Sequence, residues 1–341
     1  MATYLGTHGG RIQNYTTDPD NPNTGEVWYN GTANTIKIEA VTTAGAWATG
    51  GSLNTGRRAM SGAGLQTTAL GFGGSVQPAS PPFTALNMAN TEKYDGTSWT
   101  EVNDLNTGRG YAAGSGIQTS ALFYGGSTGT IQAITESWNG TNWTEVADLN
   151  QSRYILGGAG TSNTSALAFG GASTPPYTIH ALTESYDGSS WTEVNDMNTA
   201  RQGFSGWGSS TAAIAATGET SPARVTLTET WNGTNWTEVG DLNTARSGTG
   251  SSRVDSTSGI VFGGFESAPT DSNVNKVELW NGTNWTETTD LSGTAYQQQS
   301  GAGTGSSAIS FGGEGPANQM RAGTEEWTGA GAPQVRTIST D

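Results

Sequence analysis

One stretch of this chain, Thr228–Arg246, recurs along the sequence in five near-identical copies. It reads TETWNGTNWTEVGDLNTAR, and the other copies begin at Thr91, Thr135, Thr183 and Val277. A repeat this regular predicts an architecture built from one supersecondary unit used several times, because a single unit cannot bury its apolar face alone.

Each copy is expected to form a β-hairpin. In Thr228–Arg246 the turn is Asn232-Gly233, a dipeptide that tight hairpins favour because both residues tolerate positive φ. An aromatic residue before the turn and a tryptophan after it then lie side by side on neighbouring strands. We expect these rings to pack between neighbouring sheets rather than to stack on a sugar. The pairs are Tyr94/Trp99, Trp138/Trp143, Tyr186/Trp191, Trp231/Trp236 and Trp280/Trp285.

The rest of each unit predicts two more strands. A first strand of small residues follows an arginine, and a second, apolar strand ends in a glycine pair such as Gly73-Gly74. The fourth unit has Thr217-Gly218 at that position, and a loop of variable length leads from the pair to the hairpin. Four strands in about 44–52 residues is the period of a propeller blade.

Six units follow Leu53, and the sixth lacks its last strand, because Thr324–Gly329 is not followed by a tryptophan-bearing strand. Trp47 precedes Leu53 by six residues, the interval between the last-strand tryptophan and the following Leu or Met in the other units. The strand around Trp47 is therefore expected to complete the last blade and to remove a free sheet edge. Gln334–Ile338 is the competing candidate for that strand.

Together, the glycine pair, the aromatic residue, the tryptophan and the arginine that opens the next unit resemble the kelch repeat over Ala44–Gly331. This resemblance implies an all-β, six-bladed propeller of four-stranded antiparallel blades. The near-identical copies and the leading segment TTDPDNPNTGEVWYNGT resemble, more narrowly, kelch-like repeat proteins on the tail or capsid appendages of marine bacteriophages. That implies a protein made in the host cytoplasm and located on the virion.

Composition excludes several classes of function. The net charge is −15, from 29 acidic and 14 basic residues, so nucleic acid is not an expected partner. The chain has no cysteine, which excludes disulfides, thiol catalysis and Cys-based zinc sites. Neither a signal-peptide pattern nor a long apolar stretch is present, so we expect no cleavable signal and no membrane insertion. No cofactor and no metal are expected.

Residues 1–40 break the repeat and are expected to form an N-terminal arm, followed by the propeller over 41–331 and a tail over 332–341. Glu26–Tyr29 and Thr35–Ile38 flank Asn30-Gly31 and predict a short hairpin. We expect its aromatic residues to be exposed and to dock on another virion protein or on a second copy of the chain. The candidate attachment residues are Asp18, Asp20, Trp28 and Tyr29.

An alternative interpretation of the arm is a calcium loop, since Asp18, Asp20, Asn23 and Glu26 loosely follow the spacing of such loops. Pro22 occupies a position that needs an oxygen ligand, so a plain turn is the preferred interpretation.

Catalytic residues are not expected. Acid–base chemistry requires carboxylates or a histidine in one non-repeating cleft, whereas the acidic residues here recur with the units, as Glu101 and Asp104 do. The recurring arginines are expected to form hydrogen bonds between blades, and an anion site in the central channel is the alternative. Trp207 has no counterpart in the other units and is expected to fill a gap in the core, with binding as its alternative role.

Recognition is expected on one face of the propeller. The loops between the second and third strands vary in length and content, while the turns on the opposite face hardly vary. A rigid scaffold with one diversified face is how proteins usually display binding loops, although neutral drift would produce the same pattern. The six loops are Ser75–Asn90, Ser127–Ile134, Ala172–Leu182, Glu219–Leu227, Phe265–Lys276 and Glu314–Gly323. The candidate binding residues at their tips are Pro82, Phe83, Pro176, Tyr177, His180, Phe265 and Glu266.

The favoured functional hypothesis is a non-enzymatic virion appendage, a fibre or decoration protein that recognises a host-surface glycan or protein. The second hypothesis is an intracellular kelch-type interaction scaffold, and the third is a glycan-active enzyme.

Overall fold

The computed structural model describes residues 12–19, 26–41, 44–77, 86–221, 223–266, 272–330 and 333–338. The chain divides into two compact units. The larger is Ala46–Thr328, and the smaller combines Met1–Gly45 with Gly329–Asp341.

The larger unit contains six four-stranded antiparallel sheets within the described residues, numbered here as blades 1–6. Blade 1 consists of Ser61–Leu65, Thr68–Phe72, Thr91–Tyr94 and Trp99–Val102. Blade 2 consists of Ala113–Ile117, Ser120–Tyr124, Thr135–Trp138 and Trp143–Val146. Blade 3 consists of Gly157–Ser162, Ser165–Phe169, Thr183–Tyr186 and Trp191–Val194. Blade 4 consists of Ser205–Gly208, Ala213–Ala216, Thr228–Trp231 and Trp236–Glu238. Blade 5 consists of Gly250–Ser251, Gly259–Phe262, Val277–Trp280 and Trp285–Glu287. Blade 6 consists of Ser300–Gly303, Ser307–Phe311, Thr324–Thr328 and Ala46–Gly50.

The variable loops of several blades add short strands of their own. These are Ser75–Val76 with Leu86–Asn87, Ala172–Ser173 with Thr178–Ile179, and Phe265–Glu266 with Ser272–Asn273. Arg246–Ser247, from the segment that leads into blade 5, pairs with Phe265–Glu266 as a third strand. The helical content of the described residues is a single 3₁₀ turn, Pro316–Asn318.

The first strand of each blade contacts the first strands of the blades before and after it, and blade 6 contacts blade 1 in the same way. Just before these strands, one residue per blade donates its backbone N–H to the carbonyl of the equivalent residue in the preceding blade, at 2.7–3.1 Å. The six residues are Ala59, Tyr111, Ile155, Gly203, Gly248 and Gln298, and all have positive φ. These bonds form a closed ring around a central channel, so the predicted propeller is present.

Small residues are required in the first strands because neighbouring strands approach so closely. A Cβ added at Gly62 would lie 2.5 Å from the carbonyl oxygen of Gly301, and one added at Gly114 would lie 2.7 Å from Phe72 Cζ. These separations are shorter than real Cβ contacts, so a larger side chain would push the blades apart. The glycine-rich composition therefore reflects close packing around the channel.

The glycine pairs have a second, conformational role. Gly73 and Gly74 have φ of 64° and 104°, values that side chains rarely allow, and the N–H of Gly74 donates to the carbonyl of Arg109 in the next blade at 2.9 Å. In blade 4 a threonine takes this conformation, since Thr217 has φ of 70°. The pair turns the chain out of the second strand and joins adjacent blades.

The predicted aromatic pairs form at the closed ends of the hairpins. Trp231 and Trp236 are register partners, and their ring centroids lie 5.5 Å apart. The rings also pack between sheets as expected, since Phe72 of blade 1 lies 5.1 Å from Trp143 of blade 2. The indole of Trp143 donates to Thr91 Oγ1 of blade 1 at 2.9 Å, so this interface is both apolar and hydrogen-bonded.

The N-terminal strand around Trp47 closes the ring, as predicted. Ala46–Gly50 pairs antiparallel with Thr324–Thr328, and Trp47 is the register partner of Trp327 with ring centroids 5.4 Å apart. The competing closure by Gln334–Ile338 is not observed, because that segment belongs to the strand Pro333–Ile338, which pairs with Thr35–Val41 in the smaller unit.

The smaller unit corrects the expected arm and tail. Its sheet contains Gln13–Tyr15, Val27–Asn30, Thr35–Val41 and Pro333–Ile338, in that order. Val27–Asn30 and Thr35–Val41 form the predicted hairpin. The expected tail, in contrast, is a strand of the same sheet. Strands from both ends of the given sequence therefore share one sheet. Local sequence patterns cannot indicate this pairing, because its two strands are far apart along the chain.

Closure by Ala46–Gly50 predicts that this strand is essential to the propeller. We compare two variants that both lack the smaller unit, one with residues 45–329 and one with residues 53–329. The shorter variant loses the Trp47–Trp327 contact and leaves a sheet edge open, and truncating such a core tryptophan alone costs about 3–5 kcal/mol. We expect it to unfold at a clearly lower urea concentration than the longer variant. Equal midpoints would contradict this closure.

Candidate functional site

A fully buried ion pair lies at the same place in blades 1–5. In blade 2, Arg109 Nη1 lies 2.5 Å from Glu136 Oε1, and both side chains have no exposure. The guanidinium also donates to the carbonyls of Gly125 and Phe123, at 3.0 and 2.8 Å. Glu136 Oε2 accepts the N–H of Asn106 at 2.7 Å. The other pairs, at 2.5–3.0 Å, are Arg57–Glu92, Arg153–Glu184, Arg201–Glu229 and Arg246–Glu278.

This pair connects three parts of a blade: the incoming connection, the end of the second strand and the third strand. Burial lowers the pKa of Arg109, and Glu136 offsets that effect. The alternative role for these arginines, an anion site in the channel, is wrong because a glutamate already neutralises each charge. The guanidinium groups of these arginines donate within their own blade rather than between blades, as Arg109 does. The expected bonding between blades is made by the main chain instead, where the carbonyl of Arg153 accepts the N–H of Gly126 in the preceding blade at 2.8 Å.

Blade 6 builds the same pair from a different position in the chain. Tyr296 takes over the backbone role, since its carbonyl accepts the N–H of Gly264 of blade 5 at 3.0 Å. The guanidinium comes from Arg321 in the variable loop, which lies 2.8 Å from Glu325 Oε1 and 4.9 Å from the centroid of the Tyr296 ring. The sequence pattern does not indicate this substitution, because Arg321 lies outside the repeated positions.

The recurring aspartates have structural partners, whereas the recurring glutamates of the fourth strands are exposed. Asp148 Oδ1 accepts the N–H of Thr135 at the start of the third strand, at 3.0 Å, and Glu145 lies exposed on the fourth strand. The equivalents of Asp148, which accept at 3.1 Å, are Asp104, Asp196, Asp241 and Asp290. Within the described residues, no group of three or more His, Cys, Asp or Glu is arranged to hold a metal ion.

Trp207 is a core residue, as expected. It has no exposure, and its indole N–H donates to the carbonyl of Asp255 at 3.0 Å. It lies beside Gly259, the first residue of the second strand of blade 5, and a Cβ added at Gly259 would lie 2.5 Å from the indole. This tryptophan therefore fills the interface between blades 4 and 5.

The variable loops all begin in the same way. The residue after each glycine pair forms a β-bridge with the segment that leads into the first strand, as Ser75 does with Arg58 and Ala172 with Tyr154. A loop also contacts the neighbouring blade: Arg58, in the segment that leads into the first strand of blade 1, forms an ion pair with Glu314 of the blade 6 loop. The bases of the loops are thus held by the scaffold, while their tips differ in length and content.

The candidate binding residues occupy different environments. Pro176 and Tyr177 are exposed at the tip of the blade 3 loop, Tyr177 by 50%. His180 is partly buried, with Nε2 2.7 Å from Ser173 Oγ, and burial together with Arg153 lowers its pKa. Pro82 and Phe83 lie outside the described residues.

In the blade 5 loop, Phe265 and Glu266 are only partly buried. The Arg224 guanidinium from the blade 4 loop lies 4.5 Å from the centroid of the Phe265 ring. Glu266 lies 3.1 Å from Lys276 Nζ. These two candidates therefore lie beside charged side chains that the sequence pattern does not indicate, because the contact between loops depends on the ring of blades.

The expected attachment residues of the arm need a correction. Trp28 is fully buried rather than exposed, and its indole donates to Asp18 Oδ1 at 2.9 Å. Asn30 donates to the same oxygen at 2.6 Å, and these bonds lower the pKa of Asp18, the one from Asn30 most. Tyr29 is partly buried and donates its hydroxyl to Asn34. Asp20 lies outside the described residues.

Comparisons with known proteins identify the fold. A scan against protein-family models gives no match, and neither does a search of curated proteins. Among solved structures, one titled "Structure of YjhT" is similar with a TM-score of 0.68 and 14% sequence identity. The match covers 84% of this chain and 99% of that one.

In the described residues, no helix is long and apolar enough to cross a membrane.

The buried ion pairs generate a stability prediction. Glu136→Gln leaves the Arg109 charge buried without its counter-ion, and removing one partner of such a pair costs about 3–5 kcal/mol. The matched control is Glu145→Gln, an exposed site in the same blade, where surface substitutions usually stay within about 0.5 kcal/mol. Urea unfolding of both variants measures the difference. A cost for Glu136→Gln below about 1 kcal/mol would contradict the structural role of the pair.

Proposed function

We propose that this protein is a non-enzymatic recognition module, a bacteriophage virion appendage whose propeller binds a glycan or protein on the host surface. The observation that carries the proposal is the contrast between the two kinds of segment in each blade. The ion pair, the glycine pair and the aromatic hairpin repeat, while the loop between the second and third strands changes in every blade.

The way in which the variable loops are held favours their use in binding. A loop whose base is held by β-bridges loses less conformational freedom on binding than a free loop does. The exposed tip of the blade 3 loop adds Tyr177, an aromatic residue of the kind enriched at binding hot spots. The buried arginines of the blades bond to glutamates and backbone carbonyls, so changing them would destabilise the fold. The variable loops carry no such constraint and can differ from blade to blade.

The location on a virion rests on the sequence resemblance to kelch-like repeat proteins of marine phages. The smaller unit is the proposed attachment element for other virion proteins, or for a second copy of the chain, because the propeller closes with Ala46–Gly50 and does not use that unit's strands. Among the described residues, Gln13–Tyr15 and Pro333–Ile338 are the edge strands of its sheet, and an edge strand is able to pair with a partner strand.

The loop proposal is tested by binding to host cells. We expect fluorescently labelled protein to bind cells of the phage's host, and Tyr177→Ala to weaken binding by at least about tenfold if the tyrosine is a hot spot. Thr141→Ala, an exposed change in the hairpin turn of the opposite face, is the matched control and should bind as the parent does. Equal losses for both variants, or none for either, would refute recognition by this loop.

The attachment proposal is tested separately on particles. We expect mass spectrometry to detect the full chain in purified virions, whereas a variant limited to residues 45–329 should be excluded from them. Light scattering should find the truncated variant monomeric and the full chain associated with itself or its partner. Equal masses together with equal incorporation would remove any attachment role from the smaller unit.

A further inference from the structure

The central channel contains an open-ended cavity of about 110 Å³. Its walls come from the segments that lead into the first strands and from those strands. Met60, Leu156 and Phe204 contribute apolar surface, while Ser61, Ser205 and Ser251 contribute hydroxyl groups. The space is large enough for a few non-hydrogen atoms, which corresponds to a small organic molecule or an inorganic ion.

The entrance to this space is the ring of positive-φ residues, and it is not symmetric. On one side the Tyr111 hydroxyl donates to Gln298 Oε1 at 3.2 Å, which joins blades 2 and 6 across blade 1. In blades 4 and 5 the equivalent residues are Gly203 and Gly248, which contribute no side chain. Ile155, a β-branched residue, is held at φ of 54°, and such strained residues cluster at functional sites.

Arg253 lines the same space and exists in blade 5 alone. The first strand of that blade ends at Ser251, and Arg253 lies two residues after its end. Its Nε and Nη1 donate to the carbonyls of Gly301 and Gly206, both at 3.2 Å, on the first strands of blades 6 and 4. The bond from Trp207 to the carbonyl of Asp255 holds the turn that positions it.

The charge of Arg253 has no carboxylate partner among the described residues. Each of the six buried arginines of the blade framework, in contrast, has a glutamate within 3.0 Å. The first strands of all six blades contain no acidic residue, and Asp255 accepts hydrogen bonds from Thr257. Burial lowers the pKa of Arg253 to about 10, which the Tyr124 hydroxyl partly offsets, so the side chain is a cation at neutral pH.

We propose that the central channel is a binding site for a small molecule with an oxyanion group, carboxylate or phosphate, and that Arg253 is the residue that binds the anion. A guanidinium held by two carbonyls keeps a fixed orientation and retains donors for a planar or tetrahedral oxyanion. The low dielectric of the channel strengthens the attraction between this charge and an anion. No carboxylate in the described part of the chain competes for that charge. The apolar wall suits the remainder of the ligand. This site is separate from the loop tips and does not depend on the proposed host recognition.

The test uses the full chain and two probes, acetate and inorganic phosphate, titrated separately while the backbone N–H resonances of two residues of the channel wall, Ser205 and Ser251, are followed by NMR. We expect saturable shifts with a dissociation constant on the order of millimolar, and the tighter probe identifies the anion class. Arg253→Gln should weaken binding by at least about tenfold. The control Arg224→Gln alters a loop arginine outside the channel and should retain the affinity of the parent chain.

Two outcomes would overturn the proposal: no saturable shift of the parent chain with either probe, or unchanged affinity in Arg253→Gln. If Arg253→Gln does not fold, the site is located in the parent protein by soaking crystals in selenate, whose selenium is detected by anomalous scattering. A selenium peak within hydrogen-bond distance of Arg253 supports the assignment, and a channel without one refutes it.

Discussion

The propeller depends on a buried arginine–glutamate pair repeated around the ring. A charge buried in a protein interior is costly unless it is paired and hydrogen-bonded, and here each guanidinium has both a carboxylate and backbone carbonyls. The second carboxylate oxygen accepts the N–H of the connection arriving from the previous blade. Breaking one pair therefore disturbs a blade and its junction with its neighbour. Blade 6 shows how strict this requirement is, since Arg321 supplies the cation from a loop when the usual position does not.

The interface between blades combines that constraint with apolar packing and one hydrogen bond. The last-strand tryptophan of each of blades 1–5 packs on the preceding blade and donates to a threonine at the start of its third strand, as Trp143 does to Thr91. At the remaining interface the threonine is replaced by Val277, and Trp47 donates to the carbonyl of Thr289 instead. A buried indole N–H is thus satisfied at every interface, which is the rule for buried donors.

Framework and function occupy different parts of the molecule for a physical reason. Positions that carry a buried charge, a positive φ or a close backbone approach accept few residue types. Loop tips and the channel entrance face solvent or an open space, so they accept many. The entrance ring shows this within a single structural position, where Ala59, Tyr111, Ile155 and Gln298 share one backbone conformation but present different side chains.

The repeat by itself determined the four-stranded blade, the aromatic hairpins and closure by the strand around Trp47, because those features depend on local periodicity and on one missing unit. Tertiary structure decided the rest. The burial of Trp28, the sheet shared by both chain ends, and the roles of Arg321 and Arg253 all depend on which distant segments meet. Side-chain type and spacing do not indicate such tertiary contacts. An arginine is the same letter in the sequence whether the fold places a glutamate beside it, as for Arg321, or two carbonyls, as for Arg253.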